Sequence, residues 1–158
     1  MLADYHDRTG MREIGTCDGG GEKTVMKTDY KQIRMNEEIN LLIEKGNATL
    51  NELGYTEHSK KHASKTAETA GKILKELGCG KHKTELAKIA GYMHDIGNSI
   101  NRHDHAHSGA ILAYQILKDT DMPLKDILGV PTAIGHPAEA TGAAVDDVTA
   151  ALILADKT

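Results

Sequence analysis

The sequence predicts an all-α protein, a compact single-domain helical bundle. Its 158 residues suffice for one domain with a sizeable hydrophobic core. Phe and Trp are absent, so Leu, Ile, Val, Ala and Met must build that core, which suits close packing of helix against helix. Apolar residues recur at helical spacing along most of the chain, and no stretch alternates as a half-buried strand would.

Residues 1–28 are polar and glycine-rich, and we expect a mobile tail there, with the folded domain over residues 29–158. The first helix is predicted from Tyr30 to Lys45, with Gly46 as its stop. A short helix or turn through Leu50 and Leu53 should follow and close at Gly54.

A long helix is predicted from a cap at Thr56 and Glu57 to about Leu77, where Gly78 ends it. Its apolar face is lined mostly by small side chains: Ala63, Ala67, Ala70, Leu74 and Leu77. Small residues would let a neighbouring helix or a metal ion approach closely.

The next helix is predicted from Thr84 to about Asp95, and a further one from His105 to Lys118 with Asp104 as its cap. The second of these should bury a side that is again rich in small residues: Ala106, Gly109, Ala110, Ala113 and Leu117.

Two short helical pieces follow, one over residues 124–128 and one that starts at Pro131 and ends near Gly135. A C-terminal helix is marked by an apolar stripe: Val145, Val148, Leu152 and Ala155.

Charge and cysteine content limit the function classes. The formal net charge of −4 argues against general affinity for duplex nucleic acid, which requires a basic face. Cys17 and Cys79 lack CxxC spacing, so we expect no disulfide framework and a cytoplasmic protein. No apolar run approaches membrane-spanning length, so no membrane partner is expected. The oligomeric state is left open.

The sequence is unusually rich in histidine, and several histidines lie beside the apolar stripes of predicted helices. The stretch 91–107, GYMHDIGNSINRHDHAH, holds His94 next to Asp95, a Gly97 that could end a helix, and three further histidines. Imidazole and carboxylate together suit a divalent cation. A helix C-terminus would favour His94 alone through the dipole, but it disfavours Asp95, so something positive should offset that carboxylate.

Two residues far from this stretch could join it. His62 borders the alanine-lined face of the long helix, whereas His58, one turn earlier, reads more simply as a surface residue. Asp156 continues the C-terminal stripe after Leu152, and a buried carboxylate is normally paired or metal-bound. Because the sequence ends two residues later, an exposed Asp156 is the alternative.

In this order the residues resemble the H…HD…D signature of the HD-domain superfamily of metal-dependent phosphohydrolases. The resemblance covers about residues 57–158. Four segments carry it, namely HASKTAETAGKILKELG, YMHDIGN, DHAHSGAILAYQIL and LILADKT. It implies a bundle of the HD-domain type.

The resemblance also implies a ligand set. His62, His94, Asp95 and Asp156 would hold one divalent metal, and His105 and His136 match histidines that bind a second metal in dinuclear branches. The implied cofactor is one or two ions of iron, manganese, magnesium, nickel or cobalt. His58, in GYTEHSKKH, is an alternative or outer-shell candidate.

The chain departs from one branch of the superfamily. Asn98 stands where HDIGK members carry lysine, and no GYP-containing segment follows His136. These differences argue against a cyclic-dinucleotide phosphodiesterase. Relatives usually continue with further helices after the last ligand, so a form shortened at the C-terminus, lacking part of a substrate pocket, is one interpretation.

The expected function is a metal-dependent phosphohydrolase that hydrolyses a nucleotide or other small phosphate ester through a metal-activated water. Asp95 would bridge metals or orient the water. Lys65, three residues after His62, would hold phosphate, with Lys61 and Arg102 as weaker candidates that read equally as solvated residues. The alternative is a non-catalytic, metal-containing ligand-binding or regulatory HD module. A helical structural protein with scattered histidines is a third, weaker interpretation.

Overall fold

The structure, a computed structural model, describes residues 28–55, 59–136 and 144–158. That part of the chain holds no strand, which confirms the predicted all-α class. Its helices are α1 Tyr30–Met35, α2 Glu37–Glu52, α3 Lys60–Glu76, α4 Lys81–Met93, the 3-10 helix Ile96–Ser99, α5 His105–Leu117, α6 Leu124–Gly135 and α7 Asp147–Asp156.

The centre of the bundle is α4 together with the 3-10 helix that follows it. Residues 89–98 are all buried. Helix α4 contacts α1, α3, α6 and α7, while the 3-10 helix lies against α2 and α5. The stretch that carries His94 and Asp95 is therefore enclosed by helices from every other part of the domain.

The alanine-lined face of α3 allows the close approach that its composition predicts. Ala63, Ala67 and Ala70 are buried, and a Cβ added at Gly91 of α4 would lie 2.7 Å from the Ala67 Cα. The predicted stripe is wrong at Leu77, which is 46% exposed because the helix ends at Glu76. The stop itself is confirmed, since Gly78 has a φ of +74°.

The first predicted helix is two helices, and its predicted stop is wrong. Asn36 has an extended backbone and accepts a hydrogen bond from the Ile39 N–H, so it ends α1 and caps α2. Helix α2 then passes through Gly46, where a Cβ would lie 3.1 Å from both the Asn98 Cβ and the Ser99 nitrogen. Gly46 is a contact point for the 3-10 helix.

Three later elements also differ from prediction in their bounds, their cap or their apolar stripe. Helix α6 is continuous from Leu124 to Gly135 with Pro131 inside it, so the two predicted pieces are one helix. Helix α5 begins at His105 as predicted, yet the Asp104 side chain makes no capping hydrogen bond and its φ is +59°. Val145 is 55% exposed and precedes α7, which Asp146 caps.

Two polar side-chain contacts fix the start of α4 to its neighbours, at the opposite end from His94. The His82 Nε2 lies 3.0 Å from an oxygen of the buried Asp126 on α6. The Lys83 ammonium lies 2.7 Å from the Asp147 carboxylate on α7. Both neighbours are thus held in place against the helix that presents the candidate site.

Several predictions fall outside the described residues: the tail through residue 27, the Thr56–Glu57 cap and His58. Thr28, assigned to the tail, is buried and its hydroxyl donates to the Asp121 carboxylate. The expectation against a disulfide is wrong for Cys79, which is buried and disulfide-bonded. In the part of the chain that was searched, every helix is too short or too polar to cross a bilayer. A cytoplasmic location stays a prediction.

Candidate metal centre

Four predicted ligands from four elements meet at one end of the bundle. His62 lies in the first turn of α3, His94 follows the last residue of α4, Asp95 precedes the 3-10 helix and Asp156 is the last residue of α7. These residues are brought together because α4 packs directly against both α3 and α7.

The side chains present two imidazole nitrogens to two carboxylates. The His94 Nε2 lies 3.2 Å from Asp95 Oδ2 and 3.1 Å from Asp156 Oδ1. The His62 Nε2 lies 3.5 Å and 3.3 Å from the same two oxygens. Both rings therefore point their Nε2 atoms into the space between the acids.

These separations fit a single divalent ion. Donors held at about 2.1 Å from one ion lie roughly 2.9–4.2 Å apart. The four nitrogen-to-oxygen distances lie within that interval, and one donor atom each from His62, His94 and Asp156 lies within 4.8 Å of the other two. Nitrogen and carboxylate oxygen are also a donor set suited to first-row divalent metals. The residues present can therefore hold a metal ion.

Backbone carbonyls fix the histidine tautomers needed for metal binding. The His94 Nδ1 lies 2.7 Å from the Gly91 carbonyl oxygen, which can only accept, so Nδ1 carries a proton and Nε2 is the nitrogen that can bind a metal once its own proton is displaced. His105 donates in the same way to the Arg102 carbonyl at 3.1 Å, and His136 to that of Thr132 at 2.7 Å. In all three rings, Nε2 is therefore the nitrogen that can face a metal ion.

Asp95 faces two sides of the site with its two oxygens. Its Oδ2 lies beside His62 and His94, whereas its Oδ1 lies 3.5 Å from the His105 Nε2. The same Oδ1 accepts a hydrogen bond of 3.1 Å from the Asn98 amide. Asn98, the residue that departs from the HDIGK pattern, contacts the predicted ligand Asp95 directly. Its position three residues after Asp95 was the available signal.

Gly97 brings His105 to Asp95. A Cβ at Gly97 would lie 1.9 Å from the His105 carbonyl oxygen and 2.5 Å from the Gly109 nitrogen, so the 3-10 helix and α5 are in backbone contact. The prediction that Gly97 ends a helix is wrong, because it lies inside the 3-10 helix. On α5, the 3-10 helix packs against Gly109, where a Cβ would lie 3.3 Å from the Gly97 nitrogen.

Comparisons with known proteins show the family of this chain and its fold. The HD domain family model matches residues 60–149, more than half of the chain. The chain belongs to the HD-domain family. The matched part includes His62, His94 and Asp95, while Asp156 lies beyond it and is placed by the fold.

One protein sequence and one solved structure are similar to this HD domain. An uncharacterized protein of Methanocaldococcus jannaschii is 29% identical over 110 residues, which is 60% of this chain and 42% of that protein. A 1.45 Å crystal structure of a predicted HD superfamily hydrolase from an uncultured Thermotogales bacterium has a TM-score of 0.58 and 24% identity, over 76% of this chain and 65% of that one. The chain thus spans under half of the Methanocaldococcus jannaschii protein and just under two thirds of the Thermotogales protein. The likeness to the Thermotogales structure shows a shared fold.

Electrostatics make the centre of this HD domain attractive to cations. Burial would lower the pKa of His94, but the Asp95 and Asp156 carboxylates raise it to about 10. Hydrogen bonds from His62 and His94 in turn hold the pKa of Asp156 well below its ordinary value. Burial lowers the pKa of His105, which favours the neutral imidazole that a metal requires.

Metal uptake by the HD domain is expected to release protons. Because the two carboxylates hold a proton on His94 in the metal-free protein, a metal must displace that proton. We expect the apparent affinity for Mn²⁺ or Co²⁺ to rise by up to about tenfold per pH unit for each proton displaced, between about pH 6 and pH 8. Titration calorimetry in two buffers of different ionisation enthalpy measures the protons released. An affinity independent of pH and buffer would contradict this.

The centre is open on one side. The His94 and Asp95 side chains are 8% and 9% exposed, whereas His62 is 24% and Asp156 is 49% exposed. Of the two alternatives for Asp156, the structure shows the exposed one, and the carboxylate is nevertheless paired with His62 and His94. Water and a ligand can reach the centre from the side of Asp156.

The other residues predicted or considered for the site lie outside the group of four ligands. The exposed Lys65 donates to the main-chain oxygen of Thr158 at 3.0 Å, and its role with phosphate stays a prediction. His136 lies at the end of α6, and its role with a second metal also stays a prediction. His103 and His107 are exposed.

Proposed function

We propose that this HD domain is a metal-dependent phosphohydrolase that acts on a nucleotide or another small phosphate ester. The observation that carries the proposal is the convergence of His62, His94, Asp95 and Asp156 beside an opening to solvent. Family membership and a neighbour described as a predicted HD superfamily hydrolase support the same reaction class.

A bound divalent ion would lower the pKa of a water molecule and neutralise charge on phosphoryl oxygens. His62 and His94 would bind it through Nε2, with Asp95 and Asp156 supplying negative charge. Asp95, with His105 at its other oxygen, would hold a second ion or accept a proton from the attacking water.

Cationic side chains near the centre would hold the phosphate. Arg102 lies beside Asn98, and its guanidinium stacks over Tyr55, 5.3 Å from the ring centroid. Lys65 is exposed near the end of α7, where Asp156 stands. Both positions suit a small phosphorylated substrate that enters beside Asp156.

Elemental analysis of freshly purified protein, followed by turnover assays, tests the proposal. The assays would screen nucleotides and simple phosphomonoesters with Fe²⁺, Mn²⁺, Mg²⁺, Ni²⁺ and Co²⁺. Metal-dependent phosphate release that is lost in His94→Ala is the expected result. Bound metal without turnover would overturn it in favour of a regulatory module. No metal, and a melting temperature unaffected by chelator, would overturn the metal centre as well.

A further inference from the structure

Asn98 is a buried amide that connects the candidate metal centre to the surrounding helices. It is 1% exposed, and its Nδ2 donates to Asp95 Oδ1 at 3.1 Å. Its Oδ1 accepts from the Arg102 guanidinium at 3.3 Å. Because a guanidinium can only donate and a carboxylate accepts, the two partners fix which way the amide faces.

We propose that Asn98 is a positioning residue that holds Asp95 with one oxygen toward His62 and His94 and the other toward His105. This inference rests on the proposed metal centre. A carboxylate rotates easily about its last bond, and a hydrogen bond to one oxygen selects the orientation that serves both sides of the site. Since an amide is neutral, Asn98 orients Asp95 while leaving its full negative charge to the cation.

Asn98 is held by contacts with α2 and with the loop before α5. Gly46 of α2 packs closely enough on Asn98 that a Cβ there would lie 3.1 Å from the Asn98 Cβ. Arg102 is held between Asn98 and the Tyr55 ring that follows α2. A glycine inside a helix is less favourable than alanine, and this close contact explains why a glycine stands at position 46.

The test uses Co²⁺ as the probe, with its visible absorption spectrum and calorimetric affinity as readouts. In Asn98→Ala we expect the affinity to fall about 10- to 100-fold, as for other groups that orient metal ligands, with a changed Co²⁺ spectrum. Asn98→Asp should lose at least as much, because the carboxylate cannot donate to Asp95. Asn51→Ala, at an exposed position near the end of α2, is the matched control and should bind as wild type.

The outcomes separate this inference from the proposed reaction. A wild-type Co²⁺ spectrum and affinity in Asn98→Ala would overturn the positioning role and leave hydrolysis intact. Metal binding by wild type without turnover would overturn hydrolysis, while a shifted Asn98→Ala spectrum would still support positioning. If the wild-type protein binds no Co²⁺, the inference is overturned.

A second variant covers the case in which Asn98→Ala does not fold. Arg102→Ala removes the group that holds the amide and leaves Asn98 in place. We expect a Co²⁺ spectral change in the same direction and an affinity loss of about 2- to 10-fold, since Arg102 acts through Asn98. An unchanged spectrum and affinity in Arg102→Ala would overturn the inference.

Discussion

Asp95→Asn is expected to lower metal affinity by at least about 100-fold and to abolish hydrolysis. The substitution keeps the size of the side chain but removes the negative charge that faces His62 and His94 on one side and His105 on the other. Metal binding should therefore be weakened on both sides of Asp95 at once. Metal content by elemental analysis and Co²⁺ affinity by calorimetry measure the loss independently of any substrate.

The same variant makes a separate prediction for the metal-free protein. The Asp95 charge is the foremost influence that raises the pKa of His94, so this pKa should fall from about 10 toward its ordinary value of 6.5. Nuclear magnetic resonance titration of the imidazole protons measures it. Asp104→Asn makes the same chemical change at an exposed carboxylate beside the site and should leave both quantities unchanged. Wild-type metal content in Asp95→Asn would refute the centre.

The ligand set could be predicted because its signals are local. His94 and Asp95 are adjacent, and a carboxylate at a helix C-terminus is unfavourable unless a positive charge offsets it. His62 and Asp156 could be found because His62 borders the start of the apolar stripe on α3 and Asp156 continues the apolar stripe on α7, and the core requires both stripes. The order of these four residues also resembles a known family, and the fold brings them together.

The wrong predictions share a physical cause, namely contacts between segments distant in sequence. Gly46 and Gly97 read as helix stops, which is the commonest role of a glycine near the end of an apolar stripe. Each instead allows backbone to approach backbone or a buried side chain, and nothing within either segment indicates the partner. Pro131 likewise stays inside α6, where tertiary packing outweighs the local preference against it.

Exposure at the ends of elements was equally hard to predict. Leu77 and Val145 continue apolar stripes but lie just beyond the last or first helical turn, where the chain changes direction. Asp156 continues such a stripe and is half exposed, yet its oxygen lies 3.1 Å from the His94 Nε2. The spacing of apolar residues predicts which face of a helix is buried. How far the residues at the end of the helix are buried depends instead on the elements packed against that end.

Gly97→Ala is expected to destabilise the protein by at least about 3 kcal/mol, at the upper end of the cost of overpacking. The new Cβ would lie 1.9 Å from the His105 carbonyl oxygen and 2.5 Å from the Gly109 nitrogen. Both are backbone atoms of α5, so relief requires movement of that helix. Thermal unfolding should show a melting temperature lower by roughly 6–12 °C.

The matched control is Gly129→Ala in α6. A Cβ there meets nothing within 4 Å, so the substitution should stabilise the helix by about 0.5–1 kcal/mol. If Gly97→Ala lowers stability and Gly129→Ala raises it, the loss in Gly97→Ala comes from the close contact and not from the intrinsic preference of helices for alanine.

A second readout links this contact to the metal centre. If α5 moves, His105 moves away from Asp95 Oδ1, which lies 3.5 Å from its Nε2. The Co²⁺ spectrum of any folded Gly97→Ala protein should then change, while that of Gly129→Ala should not. A Gly97→Ala protein with wild-type stability and an unchanged spectrum would show that the 3-10 helix and α5 are not in backbone contact. The position of His105 beside Asp95 would then no longer be explained by that contact.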